Sequence, residues 1–234
     1  MLSACRSTYH SESLVYNNYR ISGNAAAEKE LQMLIQPYAD SVGKSMNQVV
    51  GYTEISLDKK QPESTLGNFM CDAVLAMAKI KYGVQVDAAF INYGGIRLTQ
   101  LPAGEVTRGK IFELMPFDNL LIIQRIKGDV LLQFLDLIAA RNGWPVAGLT
   151  MKIQDKKAVQ VMIGGKPLDP SKEYVIANAD FIANGGDNAD MLRNIPQQSL
   201  GYLVRDALLD YIAMEKEKGK NISAKIENRI SYAQ

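Results

Sequence analysis

Two short loops carry the side chains of this chain that are best suited to bind a small polar ligand. One is Asn92–Arg97, with the sequence NYGGIR, and the other is Phe181–Asp187, with the sequence FIANGGD. Each contains a glycine pair and follows a short apolar run that is typical of a β-strand, so we expect tight turns at strand ends. An aromatic ring stacks on a base, a carboxylate accepts ribose hydroxyls, and a guanidinium binds anionic oxygens. These groups together suit a nucleoside or nucleotide.

A third segment between the two loops adds to this interpretation. Met115–Asn119, with the sequence MPFDN, supplies the ring of Phe117 and the amide of Asn119. Each feature alone has a simpler explanation, because a glycine pair is usually an ordinary turn and a loop aspartate often accepts nearby backbone amides. Core packing of the two phenylalanines and a surface position for Arg97 also remain alternatives. Three such segments together favour a binding site.

These segments, in their order along the chain, resemble the C-terminal domain of the 5'-nucleotidases. The motifs are NYGGIR, GEVTRGKIFELMPFDNLLIIQRIKG and NADFIANGGD, and they are preceded by Ser64–Ala73, which is similar to the opening helix of that domain. Gly148 and Leu149 lie where the family has a Ser-Gly-Leu turn, with Ala147 in place of the serine. The resemblance extends from about Tyr52 to the C-terminus.

The resemblance implies a binding role for each candidate residue. In the family a base lies between two aromatic rings, and Phe117 and Phe181 stand at the matching positions. Asp187 matches the carboxylate that accepts ribose hydroxyls, and Asn119 matches a position that contacts the base. Arg97 matches an arginine that meets phosphate or hydroxyl oxygens.

One cation differs from the family pattern. A family arginine precedes the opening helix, and here Lys59 and Lys60 occupy that region. We take Lys60 as the candidate binding residue, together with Gly148 in the turn described above. A lysine keeps the positive charge but loses the bidentate fork of an arginine, so we expect weaker or altered phosphate binding.

The metal chemistry of the family has no counterpart in these motifs. The complete enzymes look like two domains, of which the N-terminal one holds two metal ions and a His/Asp pair that activate water. Such a dinuclear site needs several converging ligands. This chain has one histidine, His10, and no His-x-His, Asp-x-His or Asn-His-Glu pattern. We therefore expect no catalytic residue, cofactor or metal in this chain, divalent metals only in a partner phosphoesterase domain, and no activity of the isolated chain.

Composition and the N-terminus bear on partners and location. The net charge of +1 without a basic cluster argues against binding a nucleic acid polymer. The sequence contains no apolar run of about 18 residues, so we expect no transmembrane helix. Leu2–Cys5, with the sequence LSAC, matches a bacterial lipobox, although the charged start and apolar core of a signal peptide are missing. We expect a periplasmic or cell-surface protein, lipid-anchored at Cys5 unless the match is chance.

Apolar spacing divides the chain into three parts. Residues 1–22 form a polar tether, residues 23–48 an N-terminal helix, and residues 49–234 the C-terminal-like domain. The N-terminal helix has one apolar stripe, which we expect to pack on its own domain, formed by Leu31, Leu34, Ile35, Tyr38 and Val42.

Helices and strands are mixed within residues 49–234. We expect helices near Ser64–Tyr82, Arg108–Leu114, Asp129–Arg141 and Ser199–Lys218. We expect strands near Val49–Leu57, Val86–Ile91, Leu120–Ile126, Leu149–Ile153, Ala158–Ile163, Tyr174–Ala177 and Ile222–Ile230. This mixture predicts a single α/β (α+β) domain with a mixed β-sheet, and the resemblance implies layers of sheets and flanking helices.

The sequence therefore predicts the nucleoside- or nucleotide-binding half of a 5'-nucleotidase that serves nucleotide catabolism. It would work with a separately encoded metallophosphoesterase. Two alternatives stay open: a non-enzymatic, nucleotide-binding lipoprotein of the cell surface, and a structural remnant that has lost its ligand.

Overall fold

A computed structural model describes residues 13–20 and 28–233 of the protein. Cys5 and His10, and with them the lipid-anchor prediction, lie outside the described residues. The chain divides into two compact units, Met1–Ser41 and Val42–Gln234. None of the helices in the described ranges is both long and apolar enough to span a membrane.

Side-chain hydroxyls cap the first turn of two of the helices. Within the described residues the helices are α1 (Lys29–Met46), α2 (Thr65–Tyr82), α3 (Arg108–Leu114), α4 (Gly128–Ala140), α5 (Asp180–Ala183) and α6 (Val204–Glu217). The Ser64 hydroxyl accepts from the N–H of Gly67 and begins α2, and the Thr107 hydroxyl accepts from the N–H of Lys110 and begins α3. These caps explain why α2 and α3 lie within one residue of the predicted bounds. The bounds of α4, which has no side-chain cap, also agree to within one residue.

The strands form two larger sheets and two short ladders. They are β1 (Val49–Thr53), β2 (Leu57–Asp58), β3 (Ala88–Phe90), β4 (Gln100–Leu101), β5 (Gly104–Thr107), β6 (Leu120–Lys127), β7 (Val146–Ala147), β8 (Leu149–Gln154), β9 (Lys157–Ile163), β10 (Lys166–Pro167), β11 (Glu173–Ala179), β12 (Gln197–Leu203) and β13 (Ile230–Tyr232). The larger sheets have the orders β12-β6-β11-β3-β7 and β10-β9-β8-β13, and each contains one parallel pair among antiparallel ones. The predicted mixed α/β fold is confirmed.

The five-stranded sheet separates two apolar cores. Along β11, Val175 belongs to one core and Ile176 to the other, because successive side chains of a strand point to opposite faces. The first core includes the apolar faces of α2 and α6, and the second includes those of α4, β8 and β9. Alternation along the central strands therefore produces the layered arrangement.

The directions of three strands bring their loops to one edge of this sheet. β11 runs parallel to β3 and antiparallel to β6. The carboxyl ends of β3 and β11 therefore lie beside the amino end of β6. The segments that leave or enter the sheet there are Asn92–Arg97, Phe181–Asp187 and Met115–Asn119.

The apolar stripe of the N-terminal helix is exposed, and its packing on the domain stays a prediction. No residue of α1 is buried, and its apolar stripe is more than half exposed, from 52% for Ile35 to 73% for Tyr38. Helical spacing of apolar residues predicts an amphipathic helix. The same spacing carries no information about which surface covers the apolar face.

The predicted bounds of the last helix and the last strand are wrong. The helix expected from Ser199 begins at Val204, because the preceding residues form the exposed edge strand β12, which has no inside–outside alternation. The strand expected over Ile222–Ile230 is mostly irregular, and only Ile230–Tyr232 pairs, in parallel with β8. Side chains hold the irregular part instead: Asn68 Nδ2 donates to the carbonyl of Lys225 at 2.9 Å.

Candidate functional site

A cavity of about 300 Å³ opens at the sheet edge where the three loops meet. All three loops contribute to its lining. The lining residues are Asn92, Gly94, Gly95, Arg97, Phe117, Asn119, Phe181 and Asp187. The structure thus brings together five residues singled out from the sequence, namely Arg97, Phe117, Asn119, Phe181 and Asp187.

The two phenylalanines of the cavity are not core residues. The side chains of Phe117 and Phe181 are 39% and 44% exposed. The guanidinium carbon of Arg97 lies 5.6 Å from the centroid of the Phe117 ring, within the range of a cation–π contact. Two accessible aromatic faces and a cation beside one of them can accept a flat ring that carries an anionic group.

The Phe181 ring lies directly against the backbone of the glycine pair that follows it. A methyl group on Gly186 would stand 2.6 Å from two ring carbons of Phe181 and 2.5 Å from its carbonyl oxygen. Only a residue without a side chain permits this approach. The glycine pair therefore orients the ring as well as turning the chain.

The carboxylate of Asp187 accepts a hydrogen bond from a buried side-chain amide. Asn92 Nδ2 donates to Asp187 Oδ2 at 2.7 Å, and Asn92 is only 7% exposed. Asp187 has a φ of +51°, a conformation that aspartate and asparagine adopt more readily than most residues. Within the described residues Oδ1 makes no hydrogen bond, so it can accept one from a ligand hydroxyl.

Gly95 makes room for that amide. A methyl group on Gly95 would lie 2.6 Å from Asn92 Oδ1, and the N–H of Gly95 donates to the Asn92 carbonyl at 2.9 Å. The second glycine of NYGGIR thus allows the Asn92 side chain to fold under the loop and reach Asp187.

The loop that carries Phe117 is fastened by a buried arginine that the sequence analysis missed. Arg205 Nη1 donates to the carbonyls of Met115 and Phe117 at 3.3 and 3.2 Å, and Nη2 donates to Asp118 Oδ1 at 2.6 Å. Its guanidinium also lies 4.2 Å from the centroid of the Phe112 ring. No local signal reveals this role, because it depends on the start of α6, which was predicted five residues too early.

A lysine outside the cavity lining lies close to Arg97. Lys59 Nζ donates to the carbonyl of Ile96 at 2.7 Å and lies 4.1 Å from the centroid of the Tyr93 ring. Burial lowers the pKa of Lys59, and the positive charge of Arg97 lowers it further. This part of the molecule is therefore electropositive and favours an anion.

Two other sequence candidates lie outside the cavity lining. The side chain of Lys60 is 73% exposed and its Nζ lies 3.7 Å from Asp58 Oδ2, so it is Lys59 that lies beside Arg97. Gly148 joins β7 to β8 with a φ of +81°, and a methyl group there would collide with the carbonyl oxygen of Asp87. Gly148 therefore permits a close approach to the backbone of Asp87, and it belongs to none of the three loops.

Comparison with known proteins agrees with this architecture. A family model described as the 5'-nucleotidase C-terminal domain matches residues 41–194, well over half of the chain. The chain belongs to this family. All the residues that line the cavity of this 5'-nucleotidase C-terminal domain lie within the matched range, whereas α6 with Arg205 follows that range.

Individual relatives are longer than this chain. The trifunctional nucleotide phosphoesterase protein YfkN of Bacillus subtilis (strain 168) is 29% identical over 229 residues, which cover 88% of this chain and 15% of that protein. The cell wall protein Lmo0130 of Listeria monocytogenes (serovar 1/2a, strain EGD-e) is 28% identical over 241 residues, which cover 94% of this chain and 31% of that protein. The chain thus spans less than a third of either relative.

A solved structure shows the same fold. The crystal structure of a 5'-nucleotidase precursor from Thermus thermophilus matches with a TM-score of 0.75 and 26% identity, over 88% of this chain and 44% of that one. The layered domain described above is therefore the 5'-nucleotidase C-terminal fold.

The described part of this domain has no cluster of metal ligands. Among residues 13–20 and 28–233, no group of three or more His, Cys, Asp or Glu side chains could hold a metal ion. Cys71, a free thiol in α2, is fully buried in the first core.

Proposed function

We propose that this domain binds a nucleoside or nucleotide in the cavity at the sheet edge. The observation that carries the proposal is the convergence of two exposed rings, one held carboxylate and one guanidinium on a single cavity of about 300 Å³. A base would stack between Phe117 and Phe181, the ribose hydroxyls would donate to Asp187, and Arg97 would bind anionic oxygens. Asn119 would contact the edge of the base.

Each group suits the part of the ligand that we assign to it. Stacking of a base on an aromatic side chain contributes roughly 1–3 kcal/mol and tolerates different bases. A carboxylate only accepts hydrogen bonds, so Asp187 would select hydroxyls. The planar guanidinium of Arg97 presents several donors to a phosphate, and Lys59 adds positive charge beside it.

We further propose that the domain is the substrate-binding half of a 5'-nucleotidase in nucleotide catabolism. The phosphate ester would be hydrolysed by a metallophosphoesterase domain or separate subunit, which supplies the divalent metals. The family membership and the longer relatives, one of them a nucleotide phosphoesterase, support this division. The purified chain alone is expected to release no phosphate from AMP, and release that persists through repeated purification contradicts this.

We propose a location outside the cytoplasm, in the periplasm or on the cell surface. The Leu2–Cys5 lipobox and the similarity to a cell wall protein support it. Mass spectrometry of native material tests the lipid anchor, since an unmodified thiol at Cys5 rules that anchor out.

Calorimetry with adenosine and AMP tests the binding site. Phe181→Ala removes one stacking face and should weaken both ligands about 5- to 150-fold. Asp187→Ala should weaken adenosine more than 2'-deoxyadenosine, because part of its contact is with hydroxyls. Arg97→Ala should weaken AMP more than adenosine, with a larger difference at low salt. Tyr232→Ala, which removes an exposed ring in β13 outside the cavity lining, is the control.

The outcomes separate a nucleoside site in this cavity from a site elsewhere and from a structural remnant. Binding to the wild type that falls with Phe181→Ala and Asp187→Ala supports the site. Binding that both variants leave unchanged places the ligand elsewhere. No binding of either ligand at millimolar concentration favours a structural remnant.

A further inference from the structure

The two loops that carry the rings begin where one β-ladder ends. β6 and β11 are paired from Lys127 and Glu173 to the last pair, Leu121 and Ala179. Beyond it the chain turns away on both sides, toward Phe117 in one direction and Phe181 in the other. The separation of the rings therefore depends on what holds the two backbones together just past the ladder.

One carboxylate oxygen holds them together. Asp180 Oδ1 accepts from the N–H of Leu120 at 3.0 Å and from the N–H of Phe181 at 2.8 Å. A side chain thus replaces the main-chain pair that would have continued the ladder. Leu120 follows the loop of Phe117, so a single atom joins the backbones of both ring-bearing loops.

Asp180 acts from outside the cavity. It is not among the residues that line the cavity. We therefore expect an effect of Asp180 on binding to pass through the two backbone segments that it joins, at Leu120 and Phe181. That distinguishes it from Asp187, whose carboxylate faces the cavity.

We propose that Asp180 is a positioning residue that sets the gap between the Phe117 and Phe181 rings to the thickness of one aromatic base. The proposal rests on the proposed function of the cavity. A base between two rings makes two contacts of about 3.5–4.0 Å each, and a gap wider by about 0.5–1 Å loses a quarter to a half of the attraction on one side. A pair of hydrogen bonds to one carboxylate oxygen fixes the gap more tightly than a flexible loop does.

The experiment compares Asp180 with a second aspartate in matched local geometry. Asp129 in the first turn of α4 accepts from the N–H of Val130 at 2.8 Å, as Asp180 does from Phe181, but this bond stays within its own turn. Adenosine affinity of Asp180→Ala should fall about three- to tenfold, whereas Asp129→Ala should bind like the wild type. Asp180→Asn should recover most of the loss, because its amide oxygen can accept the same two bonds.

A double-mutant cycle shows whether Asp180 acts through the ring. In a chain that already carries Phe181→Ala, the stacking gap no longer exists. Asp180→Ala should then have little further effect on adenosine affinity. Thermal unfolding of each variant establishes that it is folded. If Asp180→Ala does not fold, the adenosine affinity of Asp180→Glu is measured in its place. This variant keeps the charge and moves the carboxylate by one carbon.

The possible failures are distinct. A wild type that binds neither adenosine nor AMP overturns the proposed function and this inference with it. A wild type that binds, with Asp180→Ala and Asp180→Glu unchanged in affinity, overturns only the role of Asp180. An equal loss in the presence and absence of Phe181→Ala also overturns it, because the effect is then not transmitted through the ring gap.

Discussion

Asn92 Nδ2 and Asp187 Oδ2 lie 2.7 Å apart, although the two residues are separated by 95 positions in the sequence. The bond joins the loop after β3 to the loop after β11. It fixes one oxygen of the carboxylate, and the other accepts no hydrogen bond from the described residues. A group held in place before binding loses less conformational freedom on binding.

Removing the buried amide of Asn92 should weaken the site because Asp187 loses its hydrogen-bond donor. Asn92→Ala is expected to lower adenosine affinity about three- to tenfold and to lower the free energy of unfolding by roughly 1–3 kcal/mol, because a hydrogen bond to a charged group is lost. Calorimetry and urea unfolding measure the two effects. Asn221→Ala is the matched control, since Asn221 Nδ2 donates to Glu54 Oε1 at 3.0 Å on an exposed surface. Equal affinities for both variants would contradict the role of Asn92.

The two glycines of NYGGIR should differ sharply in their tolerance of a methyl group. Gly95→Ala forces Asn92 away from Asp187, because the methyl group would stand 2.6 Å from Asn92 Oδ1. A methyl group on Gly94 would have its nearest neighbour, Asn92 Nδ2, at 3.9 Å, an ordinary contact. Gly95→Ala should therefore reduce adenosine affinity by a factor similar to that of Asn92→Ala, and Gly94→Ala by much less. The reverse order in a titration would refute this geometry.

Arg205 should resist even a conservative exchange. It lies in the first turn of α6, where the helix dipole disfavours a cation, so its bonds to Met115, Phe117 and Asp118 have to outweigh that cost. Arg205→Lys loses the fork that reaches three acceptors and should lower the free energy of unfolding by roughly 1–3 kcal/mol. Arg125→Lys alters an exposed ion pair with Glu173 at 3.9 Å and should change the free energy of unfolding by less than about 1 kcal/mol. Denaturant unfolding compares the two.

Lys59 should give the protein a distinct alkaline dependence. Burial, and then the charge of Arg97, lower the pKa of Lys59 in the folded protein below its ordinary value of 10.5. Between the lowered pKa and 10.5 the unfolded chain binds more protons than the folded one, so the stability contributed by this residue rises with pH. Below the folded pKa the cost of the buried charge is constant.

The measurement is the difference in free energy of unfolding between the wild type and Lys59→Met. This difference should shift in favour of the wild type as the pH rises through that window and should be flat below it. Lys60→Met is the matched control, because the Lys60 side chain is 73% exposed. A flat difference up to pH 10.5 would show that Lys59 is not desolvated.

The sequence predicts those parts of the fold whose signals are local. α3 begins and ends at the predicted residues because Thr107 caps it and its apolar spacing is complete within one segment. The hairpin of β8 and β9 is predicted because its two strands are neighbours in the sequence. β12 was missed because an exposed edge strand shows no alternation, and only its pairing with β6 defines it.

Some residues of the candidate site are also visible in the sequence, and others are not. Phe117, Phe181, Asp187 and Arg97 stand in short motifs, so their types and order are visible in the sequence. Asn92 opens one of those motifs, yet its bond to Asp187 is invisible without the sheet. Asp180 and Arg205 could not be predicted either, since each acts on residues far away along the chain.

The parallel pairing of β3 with β11 also bears on when the cavity can form during folding. Ala88 and Ile176 are partners in this ladder, and the segments between them include β6, α4 and most of the second sheet. Contacts between residues so distant in sequence form slowly, because a long loop has to close before they are made. The cavity exists only after this closure. Recovery of adenosine binding during refolding would therefore follow recovery of helical signal, and the ligand would report the completion of the central sheet.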